Sequence, residues 1–296
     1  MDKTRQSYIY AGLAILFWST VPTAFKICLK ELDILHMLAI ASFTSAIVLF
    51  IILLPDNRIK LIWQSSGKEL LSSALLGLIN PFIYYLILLK AYQLLPAQVA
   101  QPLNMIWPII LVFLSVPLLG QKIKTRSFLA LFISFAGVYI ISSQGTLSGT
   151  WHSDIKGILL ATGSSIFWAF YFILNVRDKR DDAIKLFMNF LFGTFYLIIA
   201  LTVTKGWSIE GIGFKGVASA VYIGIFEMGI TFFFWLKALQ MASSTDKVSN
   251  LVYLAPFLSL IFVHFILHEP VYYTTPAGLL LIIAGIWIQN RKPTIT

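Results

Sequence analysis

Glu227 is the one carboxylate that falls in the middle of a long apolar run, about eleven residues from either end of it. An ionisable side chain at that depth of a bilayer is expensive, which makes it a functional candidate by default. It suits a proton-coupling site or a contact for a small polar substrate. A protonated, hydrogen-bonded structural residue is the plainer alternative. An offset of about 147 residues pairs Glu227 with Asn80, an amide in the middle of an earlier apolar run. Lys26 could pair with Glu227 or with a substrate carboxylate, or snorkel to the outer interface instead.

Backbone released by proline is a second kind of chemistry. Pro22, Pro81, Pro108 and Pro256 would free the carbonyls of Trp18, Gly77, Asn104 and Val252. Paired breaks in two halves of a membrane protein point at a binding site, and simple kinking for packing is the alternative. Trp18, Tyr84, Tyr85, Trp107, Trp168, Tyr171 and Tyr253 offer an apolar wall with a polar handle, suited to amphipathic or planar solutes. Each could equally pack or face lipid. Asn104, Asn175 and Asn250 are further polar candidates, with an interhelical hydrogen bond as the plain reading. His264 and His268 lie four apart with Glu269 adjacent, a spacing that can hold a metal, but no third ligand accompanies them. A helix-end role fits better, and neither metal nor cofactor is expected. Residues 177–182 are a charge run read as a solvated cytoplasmic loop. Motifs for phosphate binding, for a nucleophilic serine elbow and for a zinc hydrolase are all missing, so ATP-driven transport by this chain alone lacks support.

The elements that must position these residues are membrane helices. Of 296 residues, 58% are hydrophobic and 12% charged, against roughly 25% charged in soluble domains. The net charge of +9 is spread singly between apolar runs, which argues against a nucleic-acid partner. The single cysteine, Cys28, excludes an internal disulfide and reads as a small buried hydrophobe. A crossing helix needs about 20 apolar residues. Such stretches fall at about 8–29, 34–54, 70–90, 97–119, 127–144, 155–176, 184–204, 216–239, 247–267 and 275–290. Continuous rather than alternating runs exclude strands, so the expected fold class is an all-α integral membrane protein of ten transmembrane helices. The first run is of full span length without a small-residue cleavage site, so it is read as a span and not as a signal peptide. With a cytoplasmic N-terminus, sixteen of the 22 basic residues fall inside, as the positive-inside rule expects, and both termini are cytoplasmic. Trp63, Trp151 and Trp207 lie at span edges, where aromatic anchors belong.

The second half echoes the first. Phe17-Trp18 recurs as Phe167-Trp168, Lys90-Ala91 as Lys237-Ala238, Pro108 as Pro256 and Ala136-Gly137 as Ala284-Gly285. The order and near-constant offset predict two repeats, 1–146 and 147–296, of five spans each. Five is odd, so the second copy enters from the opposite side. Such an inverted-topology repeat is used for alternating access around a midplane site.

With Trp18-Ser19-Thr20 in the first span, the chain resembles the EamA branch of the drug/metabolite transporter superfamily. The prolines of the fourth and ninth spans, ending Leu119-Gly120-Gln121-Lys122 and His268-Glu269, fit the same pattern. Trp107-Pro108, Gly120-Gln121-Lys122 and Phe167-Trp168-Ala169 are similar to the aromatic amino-acid exporter group within it. The resemblance implies a secondary transporter of the bacterial inner membrane, exporting small organic metabolites, with amino acids as the leading class. It also implies a cavity lined by the first, third, fourth, sixth, eighth and ninth spans, which carry the aromatic residues named above. A homodimer is compatible with it. An Arg that many members carry in the second span is replaced around Ser42 and Phe43, so its role does not transfer. Rival readings are an exporter of drugs or nucleobases, a passive channel, and a membrane-embedded enzyme acting on lipid or a lipid-linked substrate.

Overall fold

The computed structural model describes residues 3–55, 58–119, 125–145, 154–204, 206, 213–241 and 251–290. Asn250, Trp151, Trp207 and residues 120–122 lie outside the described residues. Regular structure among them is helical, as a bilayer demands of a backbone that must bond to itself. The helices are α1 (Lys3–Glu31), α2 (Ile34–Leu53), the short α3 (Ile59–Trp63), α4 (Gly67–Gly77), α5 (Tyr84–Leu94), α6 (Ala97–Asn104) and α7 (Trp107–Leu119). They continue as α8 (Thr125–Ser142), α9 (Ile155–Arg177), α10 (Asp182–Thr204), α11 (Phe214–Ile223), α12 (Ile230–Met241), α13 (Leu254–Leu267) and α14 (Thr274–Asn290). Two six-residue π turns, Leu78–Ile83 and Gly224–Gly229, join α4 to α5 and α11 to α12; the second is π-helical throughout, whereas the first is a kink at which Asn80 leaves helical geometry.

Six helical stretches among the described residues are long and apolar enough to cross a membrane: Lys3–Glu31, Ile34–Leu53, Gly67–Leu94, Ile155–Asn175, Asp182–Thr204 and Phe214–Trp235. Leu129–Ile141, Leu254–Leu267 and Thr274–Ile288 are shorter apolar helices. Phe43, Phe132, Phe195 and Phe265 are each more than half exposed, a surface suited to lipid and not to water. The apolar run 97–119 is not one helix. It breaks at Met105 and Ile106 into α6 and α7, and α13 opens on a short 3₁₀ turn, Leu251–Tyr253. Backbone irregularity therefore falls on the α4–α5, α6–α7, α11–α12 and α13 elements.

Packing between the halves follows a reciprocal pattern. Helix α1 leans on α11, α12 and α13, while α9 leans on α5, α6 and α7. Helix α2 packs on α10, and α8 on α14. Gly77 of α4 lies against the backbone of α10 at Asn189 and Gly193, and Gly224 lies against α2 at Ala41 and Thr44. A side chain at either glycine would strike that neighbour. Such small residues let membrane helices approach until backbone meets backbone.

The charge run 177–182 is not simply a solvated loop. Asp178 and Arg180 pair at 2.5 Å with side chains only 8% exposed, and Arg180 also donates to Ser73 Oγ of α4 at 2.7 Å. Burial alone would raise the Asp178 carboxyl, but hydrogen bonds from Arg180 and its charge outweigh this and hold it below the usual carboxylate range. Burying one of these charges without its partner would be costly, which is why the run folds onto α4. The start of α4 is fixed by a reciprocal cap in which Ser66 and Glu69 bond each other's backbone N–H. Ser66→Ala is expected to cost about 1 kcal/mol, read as a lowered melting temperature in detergent.

Candidate functional site

Helices α1, α5, α6, α7, α9, α10 and α12, with the second π turn, enclose a cavity of about 460 Å³. Its wall is a continuous chain of rings. Trp18 of α1 lies 5.4 Å from Trp235 and 6.1 Å from Phe232 of α12, centroid to centroid. Phe232 reaches Trp168 of α9 at 5.5 Å, and Trp168 reaches Tyr84 at 5.0 Å and Tyr171 at 6.1 Å. Offset and edge contacts at such distances hold aromatic rings in defined places. Trp107 packs on Phe172 at 5.9 Å on another part of the lining.

Polar groups enter this wall at Gln101, whose Oε1 accepts from Ser259 Oγ of α13, and at three further points. Glu227 opens on the cavity from the second π turn, and Tyr85 Oη donates to its Oε1 at 2.9 Å. Asn104 closes α6: its Nδ2 donates to Ser164 Oγ at 2.8 Å, and Tyr84 Oη donates to its Oδ1 at 3.3 Å. The third group is a chain at the start of α10. Asn189 Nδ2 donates to Tyr171 Oη and Asn175 Oδ1, and Lys185 Nζ donates to the Asn175 carbonyl at 3.2 Å. Lys185 Nζ also donates to the Asp178 carbonyl at 3.3 Å and lies 2.5 Å from Asp182 Oδ1.

Of the residues singled out in the sequence, Trp18, Pro22, Tyr84, Asn104, Trp107, Trp168, Tyr171 and Glu227 line this one cavity. Asn80 and Pro81 lie elsewhere. Asn80 is fully buried with an extended backbone (φ −145°, ψ 119°), and both atoms of its amide find no hydrogen-bond partner among the described residues. The first π turn faces α10, where Gly193 packs on Pro81, which turns Asn80 away from the cavity. Lys26 donates to the Leu95 carbonyl at 2.5 Å, at the corner between α5 and α6, and does not join the cavity lining. Tyr253 lies in the 3₁₀ turn whose Val252 lines the cavity. Pro22 stays inside a continuous α1. Pro108 and Pro256 are the second residue of α7 and the third of α13, in first helical turns where a missing N–H leaves no bond unmade. The Asn104 carbonyl accepts from Ser165 Oγ at 2.9 Å and is not presented to the cavity. Nδ1 of His264 faces the Glu269 carbonyl at 3.2 Å.

Gln101, Asp182, Lys185, Phe232 and Trp235 belong to the lining and were not anticipated. On an unbroken helix the face of Glu227 would continue through Thr231 and Phe234. The extra residue of a π turn advances that face by one position, to Phe232 and Trp235. Lys185 and Asp182 form an ion pair three apart at the start of α10.

Comparison with known proteins agrees with this architecture. The model of the EamA-like transporter family matches residues 5–143 and again residues 155–291. The chain is 28% identical over 296 residues to the uncharacterized transporter YvbV of Bacillus subtilis, covering 99% of this chain and 93% of that one. It is also 28% identical over 297 residues to an uncharacterized transporter of Archaeoglobus fulgidus, covering 97% and 98% respectively. A more distant relative is the aromatic amino acid exporter YddG of Ancylobacter novellus, 23% identical over 62% of this chain and 63% of that one. A crystal structure shares the fold, with a TM-score of 0.67 over 97% of each chain at 18% identity.

Proposed function

This chain belongs to the EamA-like transporter family, and from that premise we propose that it is a secondary transporter moving small organic metabolites through the aromatic cavity by alternating access. It is a multi-pass membrane protein. The observation that carries the reading is Glu227 opening into a cavity walled by Trp18, Trp168, Phe232 and Trp235. A carboxylate without a charged partner in a largely apolar cavity can hold either a proton or the polar end of a solute, and exchanging the two couples transport to the proton gradient.

The proposed architecture is ten spans in two inverted repeats, 1–146 and 147–296. The double match to the family model, the two π turns and the reciprocal packing of α1 and α9 support it. The membrane is the bacterial inner membrane, with both termini cytoplasmic, on the bias of basic residues. Transport is outward. Aromatic metabolites, amino acids and the amines related to them, form the substrate class, because a distant relative is named an aromatic amino acid exporter and the cavity wall is aromatic.

The test is counterflow in proteoliposomes, with labelled tryptophan and tryptamine as probes. A transporter gives transient, saturable accumulation of label against preloaded solute. Linear, unsaturable entry would make the protein a channel and overturn the reading. Trp168→Ala removes the ring that bridges Tyr84 and Phe232. Truncating a central aromatic anchor costs 2 kcal/mol or more, so apparent affinity in counterflow is expected to fall at least about 30-fold. Trp168→Phe should recover most of it.

A further inference from the structure

We propose that the cavity selects a single positive charge on an aromatic body, so that its ligands are aromatic monoamines without a carboxylate, in preference to the zwitterionic amino acids themselves. This deepens the transporter reading and rests on the cavity being its substrate site.

The argument is a balance of charge. Besides the phenols of Tyr84, Tyr92 and Tyr171, two carboxylates and one ammonium line the cavity among the described residues: Glu227, Asp182 and Lys185. Lys185 is spent. Its ammonium has three donors, and three acceptors surround it: Asp182 Oδ1 at 2.5 Å and the carbonyls of Asn175 and Asp178 at 3.2 and 3.3 Å. Asp182 and Lys185 cancel, which leaves Glu227 as the charge a ligand would meet. Its described partner is a neutral phenol, Tyr85, which donates a hydrogen bond without supplying a positive charge. An ammonium at Glu227 would complete a charge pair that the protein leaves half made.

The wall favours the same sign. The faces of Trp18, Trp168, Phe232 and Trp235 carry the negative side of the aromatic quadrupole and attract a cation placed among them. For a carboxylate the lining offers neutral donors, among them the Gln101 amide, while its one ammonium is already committed. The amide Nδ2 of Asn104 is given to Ser164 and that of Asn175 to the Tyr171 carbonyl. The start of α7, beside Trp107, is a poor anion site as well. Pro108 has no N–H, and the Ile109 N–H donates to the Ile106 carbonyl at 3.0 Å. A carboxylate brought here would lose its water and gain no cation, and a site that leaves a buried polar group unpaired discriminates against it strongly.

The experiment compares three molecules with the same indole ring on the purified wild-type protein by isothermal titration: tryptamine, tryptophan and indolepropionate. Tryptamine is expected to bind at least about 10-fold more tightly than tryptophan, with indolepropionate weakest. Glu227→Gln, checked for an unchanged melting temperature, should erase the preference for tryptamine. Tryptophan binding as tightly as tryptamine, or tight binding of indolepropionate, would overturn the inference and leave the transporter reading standing. Absence of binding and of counterflow for all three would sink both.

Discussion

Gly137→Leu is expected to leave little folded protein. Gly137 of α8 and Gly278 of α14 lie against each other's carbonyl oxygens, so that a Cβ added at either would strike backbone, with Ile282 or Ile141 beside it. Backbone cannot swing aside as a flexible side chain can, so the helices must separate along the most extensive helix pairing between the two halves. Overpacking a close contact costs about 3 kcal/mol, a large share of a typical folding free energy. Among the described residues Ser134 Oγ reaches the Ile282 carbonyl at 3.5 Å, the far limit of a hydrogen bond, and the Gly145 N–H after α8 donates to Thr274 Oγ1 at 3.0 Å. Van der Waals packing must supply the rest. The readout is the monodisperse peak in size-exclusion chromatography after solubilisation, expected to vanish for Gly137→Leu. Gly163 of α9 has open space where its side chain would be, so Gly163→Leu should run like wild type and controls for hydrophobicity. A normal peak from Gly137→Leu would mean that the α8–α14 contact does not hold the halves together.

These packing facts divide what sequence can carry from what it cannot. Helices α1, α2, α9 and α10 follow from apolar length alone, because a span in lipid has no other way to satisfy its backbone. Glu227 was visible for the same reason: a carboxylate has no cheap place in a run such as 216–239. The π turns were not visible. They arise where Gly77 and Gly224 press onto a helix of the other half, a tertiary cause; Pro81 marked the first locally as a backbone break, whereas the second carries no proline. Missing them shifts the helical face by one residue, which is why Phe232 and Trp235 went unseen while Trp18 and Trp168, on regular helices, did not. The same displacement separated Asn80 from Glu227. Their spacing in sequence pairs them, yet one π turn faces α10 and the other the cavity. Lys185 and Asp182 were hidden differently. Read by charge they belong to a loop, but their mutual pairing and two backbone carbonyls let them enter the cavity wall.

Glu227→Gln should separate the wall from the charge. Glutamine keeps the length of the side chain and an oxygen that can accept from Tyr85 Oη, the 2.9 Å bond that ties the second π turn to α5. The fold and the ring wall should therefore persist, with a melting temperature close to wild type. What is lost is the site where a proton and a solute ammonium exclude one another. Under the proposed coupling, each cation bound at Glu227 would displace a proton there, so that an imposed pH gradient would drive solute uphill. In the variant that exchange has no seat. Gradient-driven accumulation in proteoliposomes should collapse to the equilibrium level. Affinity for an amine should fall by at least about 100-fold, the effect of removing one member of a buried charge pair. The dependence on pH should flatten with it, because the other titratable groups of the lining are the phenols of Tyr84, Tyr92 and Tyr171 and the Asp182–Lys185 pair, whose members are already tied to each other. If Glu227→Gln transports as the wild type does at every pH, the coupling role fails and the carboxylate is structural. If it transports without accumulating, the cavity alone suffices for exchange, and Glu227 supplies the driving force and not the path.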